Sequence, residues 1–240
     1  MNNLTKNMLS LKGPNPLKNE YKKGSSLKLS SEQRNILVGT LLGDGYLEGR
    51  GQSKQTRCYR YYFSQQEKNK DYVQHIFSIF ENWCSSPPTI AISGLRQSKK
   101  NQENTNDLEF TRFVYFRTCV HPAFKFYADQ FYLEENGKRT KKIPKLIHKW
   151  LNPMVLAYWF MDDGCKGNNG YILNTQSFSL KEQEVLADAL GRKFKFEVNI
   201  HKDRNNYRLY ISAKSKDSFT EIIKPYVLPC FFYKLFENKD

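Results

Sequence analysis

The chain has 240 residues, 39% of them hydrophobic and 15% aromatic, which is enough for one large domain or two small domains with a packed core. No apolar run reaches the roughly 18 residues of a membrane-spanning helix, the N-terminus shows no signal peptide, and five scattered cysteines without a Cys-x-x-Cys pair argue against disulfides and zinc. The 38 Lys and Arg residues outnumber 24 Asp and Glu residues, and the net charge of +14 favours a polyanionic partner, most commonly nucleic acid.

The first predicted helix follows a lysine- and asparagine-rich N-terminal arm, residues 1–29. Ser30 is an N-cap candidate, and Gln33 three residues later completes a capping box. The stretch "ILVGTLLGDG" is apolar on most of the helix surface and ends in an Asp-Gly pair whose acid is Asp44. A helix that is apolar on several sides is expected to be buried between other elements.

The first half continues with a strand, a helix, a hairpin and a short helix. The strand "RYYFSQQ" alternates, with Tyr59, Tyr61 and Phe63 on one face. Asn69 is a cap candidate for the helix "KDYVQHIFSIFENW", and the hairpin "PTIAIS…FTRFVYFRT" follows it. A short amphipathic helix over residues 122–133 and the stretch "TKKIP" complete this half.

The second half repeats this order of elements. Asn152 as N-cap and Pro153 at the first helical position begin the helix "VLAYWFMDDG". Aligning Asp44 with Asp163 superposes "LVGTLLGDG" on "LAYWFMDDG". The strand "YILNTQS", a helix capped by Ser179, the hairpin "FEVNIHKDRNNYRLYIS", a short helix and the stretch "PCFFYKL" then follow.

The repeat predicts an α+β fold made of two copies of helix–hairpin–helix–hairpin–helix. Runs of antiparallel hairpins with helices on one face of each sheet give this architecture. We expect the first half to span residues 30–150 and the second half residues 151–240, in a chain that acts as a monomer. The free face of each sheet is polar, basic and aromatic, which suits nucleic acid.

The ends of the two apolar helices predict a metal site. Packed against each other, these helices place their C-terminal ends side by side. Asp44 and Asp163 then meet among the last carbonyls, Gly43 included, and hard oxygens of this kind suit Mg²⁺ or Ca²⁺ rather than zinc. Asp162, which aligns with Gly43, is expected to be structural or to accept a hydrogen bond at the helix junction, and it is also a candidate metal residue. Acids are unfavourable at a helix C-terminus, and a bound cation would offset that cost.

The stretches "LVGTLLGDG" and "LAYWFMDDG" resemble the two signature helices of LAGLIDADG homing endonucleases in their single-chain, double-motif form. The flanks "LNTQSFS" and "IIKPYVLP" look most like those of yeast mitochondrial intron-encoded members. The resemblance implies an αββαββα fold twice, with the two sheets forming a saddle over double-stranded DNA. It also implies Mg²⁺-dependent hydrolysis of both strands of a long asymmetric target, with short 3′ overhangs. Ca²⁺ or Mn²⁺ is expected to substitute in the site, and the mitochondrion is the expected compartment.

The resemblance also assigns roles to individual residues. The last acid of each motif, Asp44 or Asp163, is implied to bind metal, with Gly43 and Asp162 beside them. Four basic or polar residues are implied by position to order water around the scissile phosphates: Lys141, Lys234, Gln66 and Gln176. The catalytic site is therefore expected where the two motif helices end.

Two features of the chain depart from the family pattern. The small residue at the helix crossing is Gly39 in the first motif, but the matching position in the second motif is Tyr158. The approach of the two helices is therefore expected to be asymmetric. Lys138 and Lys142 also compete with Lys141 for the position in the active site.

Base reading is expected from the free faces of the sheets, because Arg and Asn side chains fit base edges in the major groove. The candidates on these predicted strands and their ends are Arg50, Arg60, Asn174, Lys195, Asn199 and Arg208.

Two alternatives remain at the level of the sequence. The first is a maturase of the same fold, which binds intron RNA and assists group I intron splicing. The second is a DNA-binding regulator descended from the fold. Both alternatives allow loss of the metal-binding acids, and both acids are retained here, which favours the nuclease.

Overall fold

The computed structural model of the protein describes residues 27–51, 57–93 and 110–236. The helices are α1 (Ser31–Leu42), α2 (Lys70–Phe80), α3 (Lys125–Phe131), α4 (Ile147–Trp150), α5 (Pro153–Asp163), α6 (Leu180–Phe194) and α7 (Lys216–Ile223). The strands are β1 (Tyr46–Arg50), β2 (Cys58–Gln66), β3 (Thr89–Ser93), β4 (Thr111–Arg117), β5 (Tyr132–Glu135), β6 (Lys138–Lys141), β7 (Gly164–Lys166), β8 (Tyr171–Leu173), β9 (Val198–Asp203) and β10 (Asn206–Ile211). Most of the predicted N-terminal arm lies outside the described residues. No helix within them is long and apolar enough to cross a membrane.

The two halves share one sheet topology. The strand orders are β1-β2-β4-β3 and β7-β8-β10-β9, and every pairing is antiparallel. The helices follow the same sequence in each half, so that α1, α2 and α3 correspond to α5, α6 and α7. The predicted α+β repeat is therefore confirmed.

The alternation of side chains along the strands places one face of each sheet in the core. In β2, Tyr61 and Phe63 are fully buried, whereas Tyr62 between them is only half-buried. In β8, Tyr171 and Leu173 are buried in the same way. The opposite face of each sheet carries the polar and basic side chains that the sequence predicts for nucleic-acid contact.

Local hydrogen bonds fix the beginnings of the helices. Ser30 Oγ accepts the N–H of Gln33 at 3.0 Å, and the Gln33 side chain accepts the N–H of Ser30 in return. Asn152 caps α5 by accepting the N–H of Val155. Asn69 is the N-cap residue of α2, as predicted, but its side chain makes no cap hydrogen bond and donates to the side chain of Gln65 in β2 at 3.2 Å. A short 3₁₀ turn leads into α2 instead.

Helices α1 and α5 pack directly against each other in the middle of the molecule. A Cβ atom on Gly39 would lie 2.7 Å from the carbonyl oxygen of Val155 and 2.8 Å from Cβ of Tyr158. A Cβ atom on Gly43 would lie 2.5 Å from Cβ of Asp162. Gly39 and Tyr158 are equivalent positions of the two motifs, as are Gly43 and Asp162, so each glycine of α1 makes room for its larger counterpart. This packing confirms the predicted asymmetric approach.

An additional hairpin, β5–β6, lies between the two halves. The sequence predicts a helix up to residue 133, but α3 ends at Phe131 and a tight turn with positive φ at Asn136 and Gly137 joins two short strands. The hairpin covers the edge of β1, where the hydroxyl of Tyr132 accepts the N–H of Leu47 at 3.0 Å. It also places Lys141 at the ends of the motif helices.

Candidate active site and nucleic-acid interface

Three carboxylates converge where α1 and α5 end. Asp44 follows α1 by two residues, and Asp162 and Asp163 are the last two residues of α5. The N–H of Asp44 donates to Asp162 Oδ2 at 3.0 Å, and the hydroxyl of Tyr72 donates to Asp162 Oδ1 at 2.8 Å. Asp162 thus ties the two motif helices and α2 together, as the alternative of a hydrogen bond at the helix junction predicts.

Two lysines lie beside these acids, one at each helix end. Lys141 Nζ donates to the carbonyl of Gly43 at 2.5 Å, and Lys234 Nζ donates to the carbonyl of Met161 at 2.6 Å. A cation stabilises the negative end of a helix dipole, so each lysine offsets part of the penalty for a terminal acid. Lys141, rather than Lys138 or Lys142, occupies the site: Lys138 is exposed near the tip of the β5–β6 hairpin.

Burial and mutual repulsion shift the pKa values of these groups. Burial and the charge of Asp44 raise the pKa of Asp163 to about 7, although the two lysines act in the opposite direction. Burial, with Asp44 and Asp163, raises the pKa of Asp162 well above its usual range. Burial lowers the pKa values of Lys141 and Lys234, against the influence of the acids. Additional positive charge would favour the ionised forms of Asp162 and Asp163.

The donor atoms fit a hard divalent cation. They are carboxylate and main-chain carbonyl oxygens, the ligands preferred by Mg²⁺ and Ca²⁺. Although three carboxylates lie at these helix ends, no group of three His, Cys, Asp or Glu side chains among residues 27–51, 57–93 and 110–236 is arranged so that it could hold a metal ion.

The structure changes which glutamine contacts the acids of the site. Gln65, not Gln66, reaches the site, and its Nε2 donates to Asp44 Oδ2 at 2.6 Å. Gln66 is exposed and makes no hydrogen bond to these acids, although it lines the same cavity as Asp44, Asp162 and Lys234. Gln176 also makes no hydrogen bond to the three acids of the site, because its Nε2 donates instead to the carboxylate of Asp203 at 2.8 Å. The alternation of β2 could have identified Gln65, which follows Tyr61 and Phe63 on the same face.

The second motif acid has no such amide beside it. The position that corresponds to Gln65 in strand register is Thr175, which is buried and donates to the side chain of Gln183 at 2.8 Å. Among the described residues, no donor hydrogen-bonds the carboxylate of Asp163. The two halves of the site are therefore chemically unequal.

The six predicted base readers occupy different kinds of position. Arg50 and Asn199 are exposed on the outer faces of the two sheets, and Arg208 is half-buried on the outer face of β10. Two of the predictions fall elsewhere: Lys195 ends helix α6 in a left-handed conformation, and Asn174 donates its amide to the carbonyl of Asp163 at 2.9 Å. These two residues do not lie on the open face of a strand.

Two more arginines, Arg60 in β2 and Arg117 in β4, lie on the outer face of the first sheet. Arg60 is only 6% exposed, because its guanidinium pairs with Glu48 at 2.7 Å. Arg117, which the sequence analysis missed, is exposed on β4 and lies over the rings of Tyr62 and Tyr115 at 5.2 and 4.9 Å. The alternation of "FTRFVYFRT" could have placed Arg117 on this face, but its two faces look mixed in sequence.

Comparisons with known proteins agree with this arrangement. Residues 34–219 match the family described as LAGLIDADG DNA endonuclease. The chain is 33% identical to a probable intron-encoded endonuclease of Wickerhamomyces canadensis, over 97% of this chain and 96% of that protein. It is 30% identical to the cytochrome b mRNA maturase bI2 of Saccharomyces cerevisiae, over 83% of this chain and 46% of the relative. The solved structure of the homing endonuclease I-WcaI bound to its DNA recognition sequence superposes with a TM-score of 0.72 at 29% identity, and the match covers 88% of this chain and 89% of that chain.

Proposed function

The chain belongs to the LAGLIDADG DNA endonuclease family, and we propose that it is a homing endonuclease that cuts both strands of a long asymmetric DNA site. The observation that carries this proposal is the paired helix end, where Asp44 and Asp163 each lie close to a lysine on a main-chain carbonyl. Two carboxylates and two lysine ammonium groups at one point suit the hydrolysis of two phosphodiester bonds, one in each DNA strand, across the narrow minor groove. Short 3′ overhangs are the expected products.

The proposed reaction requires a divalent cation. Mg²⁺ is the expected ion, and Ca²⁺ or Mn²⁺ could occupy the same site. Asp44 and Asp163 would hold it, with the carbonyl of Gly43 and the carboxylate of Asp162 close by. Such an ion makes bound water a better nucleophile and offsets charge on the leaving oxygen. The residues of the chain supply the rest of the chemistry by orientation and charge.

The hydrogen bonds of the site suggest what each residue does. Gln65 holds one carboxylate oxygen of Asp44, and Asp162 holds the main-chain N–H of the same residue, so that Asp44 is oriented before DNA binds. Lys141 and Lys234 bring positive charge to the position of the scissile phosphates, where it stabilises the charge that develops during hydrolysis. Their place at the helix ends keeps both ammonium groups close to the acids.

The central experiment is a selection of cleaved sequences from a randomised double-stranded DNA library with Mg²⁺, with a chelator as control. We expect one long site to be enriched only when the cation is present. Asp44→Asn or Asp163→Asn should abolish double-strand cleavage but keep specific affinity within about tenfold, since phosphate and base contacts supply the binding. Strong cleavage by either variant at ordinary Mg²⁺ would remove these acids from the mechanism.

Intron RNA binding is the second candidate function, because one relative is named a cytochrome b mRNA maturase. A splicing assay with Asp44→Asn separates the two functions: the substitution should stop DNA cleavage and leave any splicing assistance unchanged. The same kind of relative supports an organelle-encoded, mitochondrial origin for the chain.

A further inference from the structure

A single carboxylate lies among three arginines on the outer face of the first sheet. Glu48 in β1 is the Cα partner of Arg60 in β2, and both Nε and Nη2 of Arg60 are 2.7 Å from Glu48 Oε2. Arg50 Nη2 is 2.9 Å from Glu48 Oε1, and Arg117 Nε is 3.9 Å from Oε2. Glu48 therefore contacts guanidinium groups from three strands.

The three arginines differ in exposure, which indicates different roles. The side chain of Arg60 is only 7% exposed, whereas those of Arg50 and Arg117 are 55% and 43% exposed. Arg60 therefore anchors the carboxylate from within the sheet, and Arg50 and Arg117 extend from it toward the surface. Arg117 is further oriented by the rings of Tyr62 and Tyr115.

We propose that Glu48 is a positioning residue that holds Arg50 and Arg117 as readers of guanine, so that the first half selects guanine at two places in its half-site. This inference rests on the proposed function and names part of its substrate. Guanine offers two acceptors, O6 and N7, which match the paired donors of a guanidinium. A free arginine also pairs with phosphates, which carry no sequence information, and a fixed carboxylate partner limits that freedom.

Strand register gives the order of the two places along the DNA, and the shared carboxylate limits their spacing. Arg117 is paired with Tyr62, which is paired in turn with Tyr46 at the beginning of β1, and Arg50 lies four residues farther along β1. Four residues of an extended strand span about 13 Å, but both guanidinium groups contact one carboxylate, at 2.9 and 3.9 Å, so they lie closer together than the backbone of the two residues. Because base pairs are about 3.4 Å apart, we expect two guanine positions about two to three base pairs apart, with that of Arg117 nearer the cut.

Among the described residues of the second half, the equivalent cluster is absent. The alignment of Asp44 with Asp163 places Gly167 at the position of Glu48. Strand register places Tyr210 at the position of Arg117, and its ring stacks on His201 with centroids 4.7 Å apart. The paired guanine preference is therefore expected on one side of the cut only.

The experiment selects bound rather than cleaved sequences from a randomised duplex library, in the presence of Ca²⁺. We expect wild type to prefer guanine by about tenfold at two positions about two to three base pairs apart. Glu48→Gln, which keeps the shape but removes the charge, should reduce both preferences to less than about threefold. The matched control is Glu67→Gln, which removes another carboxylate from an arginine, Arg112 at 3.1 Å. This control should retain the wild-type profile.

Two further variants identify the positions and do not depend on the folding of Glu48→Gln. Arg50→Lys and Arg117→Lys are surface changes that keep the charge but remove the two-pronged donor, and each should lose one of the two preferences. A wild-type profile without guanine at such a pair of positions, or one that Glu48→Gln leaves unchanged, overturns the inference. Selection by binding keeps this result separate from cleavage, since a chain that binds with this profile but does not cut would contradict only the proposed function.

Discussion

Gln65 is the residue whose role the structure changes most. Its amide donates a hydrogen bond to a carboxylate oxygen of Asp44, whereas the neighbouring Gln66 lines the same cavity and makes no hydrogen bond to that acid. We expect Gln65→Ala to reduce the cleavage rate by about 100-fold, because the acid loses its orientation. Gln66→Ala, one position along the same strand, should stay within about threefold of wild type at saturating DNA.

The two strands of DNA should respond unequally to Gln65→Ala. Thr175, at the corresponding position of the second half, donates its hydroxyl to the side chain of Gln183 and makes no hydrogen bond to Asp163. A supercoiled plasmid assay therefore should show nicked circles accumulating in Gln65→Ala more than in wild type. Equal rates for Gln65→Ala and Gln66→Ala would show that the hydrogen bond to Asp44 has no catalytic role.

The raised pKa of Asp163 predicts how stability depends on pH in the absence of divalent cations. The pKa is about 7 in the folded protein and about 3.9 in an unfolded chain, so the folded state binds more protons between these values. The free energy of unfolding should therefore fall as pH rises from about 5 to 8. Asp163→Asn removes this contribution, and the difference in Tm between wild type and variant cancels the groups outside the site, including His75, whose pKa burial lowers.

We expect Asp163→Asn to gain in Tm over wild type as pH rises, and Mg²⁺ at pH 8 to stabilise wild type more than the variant. About 1 kcal/mol corresponds to about 2–4 °C for a chain of this size. A difference in Tm that is the same at pH 5 and pH 8 would show that the folded pKa of Asp163 is not raised.

At the scale of elements, the contact between α1 and α5 is sensitive to a single methyl group. Gly39→Ala places Cβ 2.7 Å from a main-chain oxygen of α5, which cannot move without shifting that helix. Overpacking of this kind costs about 1–3 kcal/mol in the free energy of unfolding. The control is Gly191→Ala in α6, where the nearest atom is 3.4 Å away and the gain in helix propensity of about 0.5–1 kcal/mol should stabilise the protein. Urea unfolding of both variants should give effects of opposite sign.

Most helices and strands could be predicted from the sequence because their signals are local. Ser30 and Gln33 fix the beginning of α1, and the alternation of Tyr61 and Phe63 fixes the face of β2, without reference to distant residues. The β5–β6 hairpin could not be predicted in this way, since its strands have four residues each and are stabilised by contacts of Tyr132 with the edge of β1. The hairpin in turn determines which lysine reaches the site.

The same difference between local and long-range contacts explains which residues of the site could be predicted. Asp44 and Asp163 could be predicted because each lies at the C-terminal end of a motif helix and the two motifs repeat visibly, and Lys234 follows from its place in the corresponding stretch. The burial of Arg60 could not, because it depends on the register that sets Glu48 opposite it. The role of Asn174 likewise depends on the close return of the chain to the end of α5.

At the scale of the whole molecule, the halves share a fold but present different surfaces to DNA. The first outer face carries Arg50, Arg117 and the carboxylate between them, whereas the second carries Asn199 and the stacked pair of His201 and Tyr210. Each half should cover roughly one helical turn of DNA. Because different side chains select different bases, the target should be long and non-palindromic.

This asymmetry can be tested by dividing the natural site at its centre and building both palindromes, left–left and right–right. Each palindrome forces one half of the protein onto bases selected by the other half, and each mismatch costs about 1–3 kcal/mol of binding free energy. With several mismatches in a half-site, both palindromes should be cut far more slowly than the natural site at equal enzyme concentration. The palindrome built from the half-site of the first protein half carries the two guanines on both sides of the cut. The second protein half has Tyr210 where the first has Arg117, so the added guanines do not improve its binding. If both palindromes are cut as fast as the natural site, the two outer faces read the same sequence and their different side chains do not determine the target.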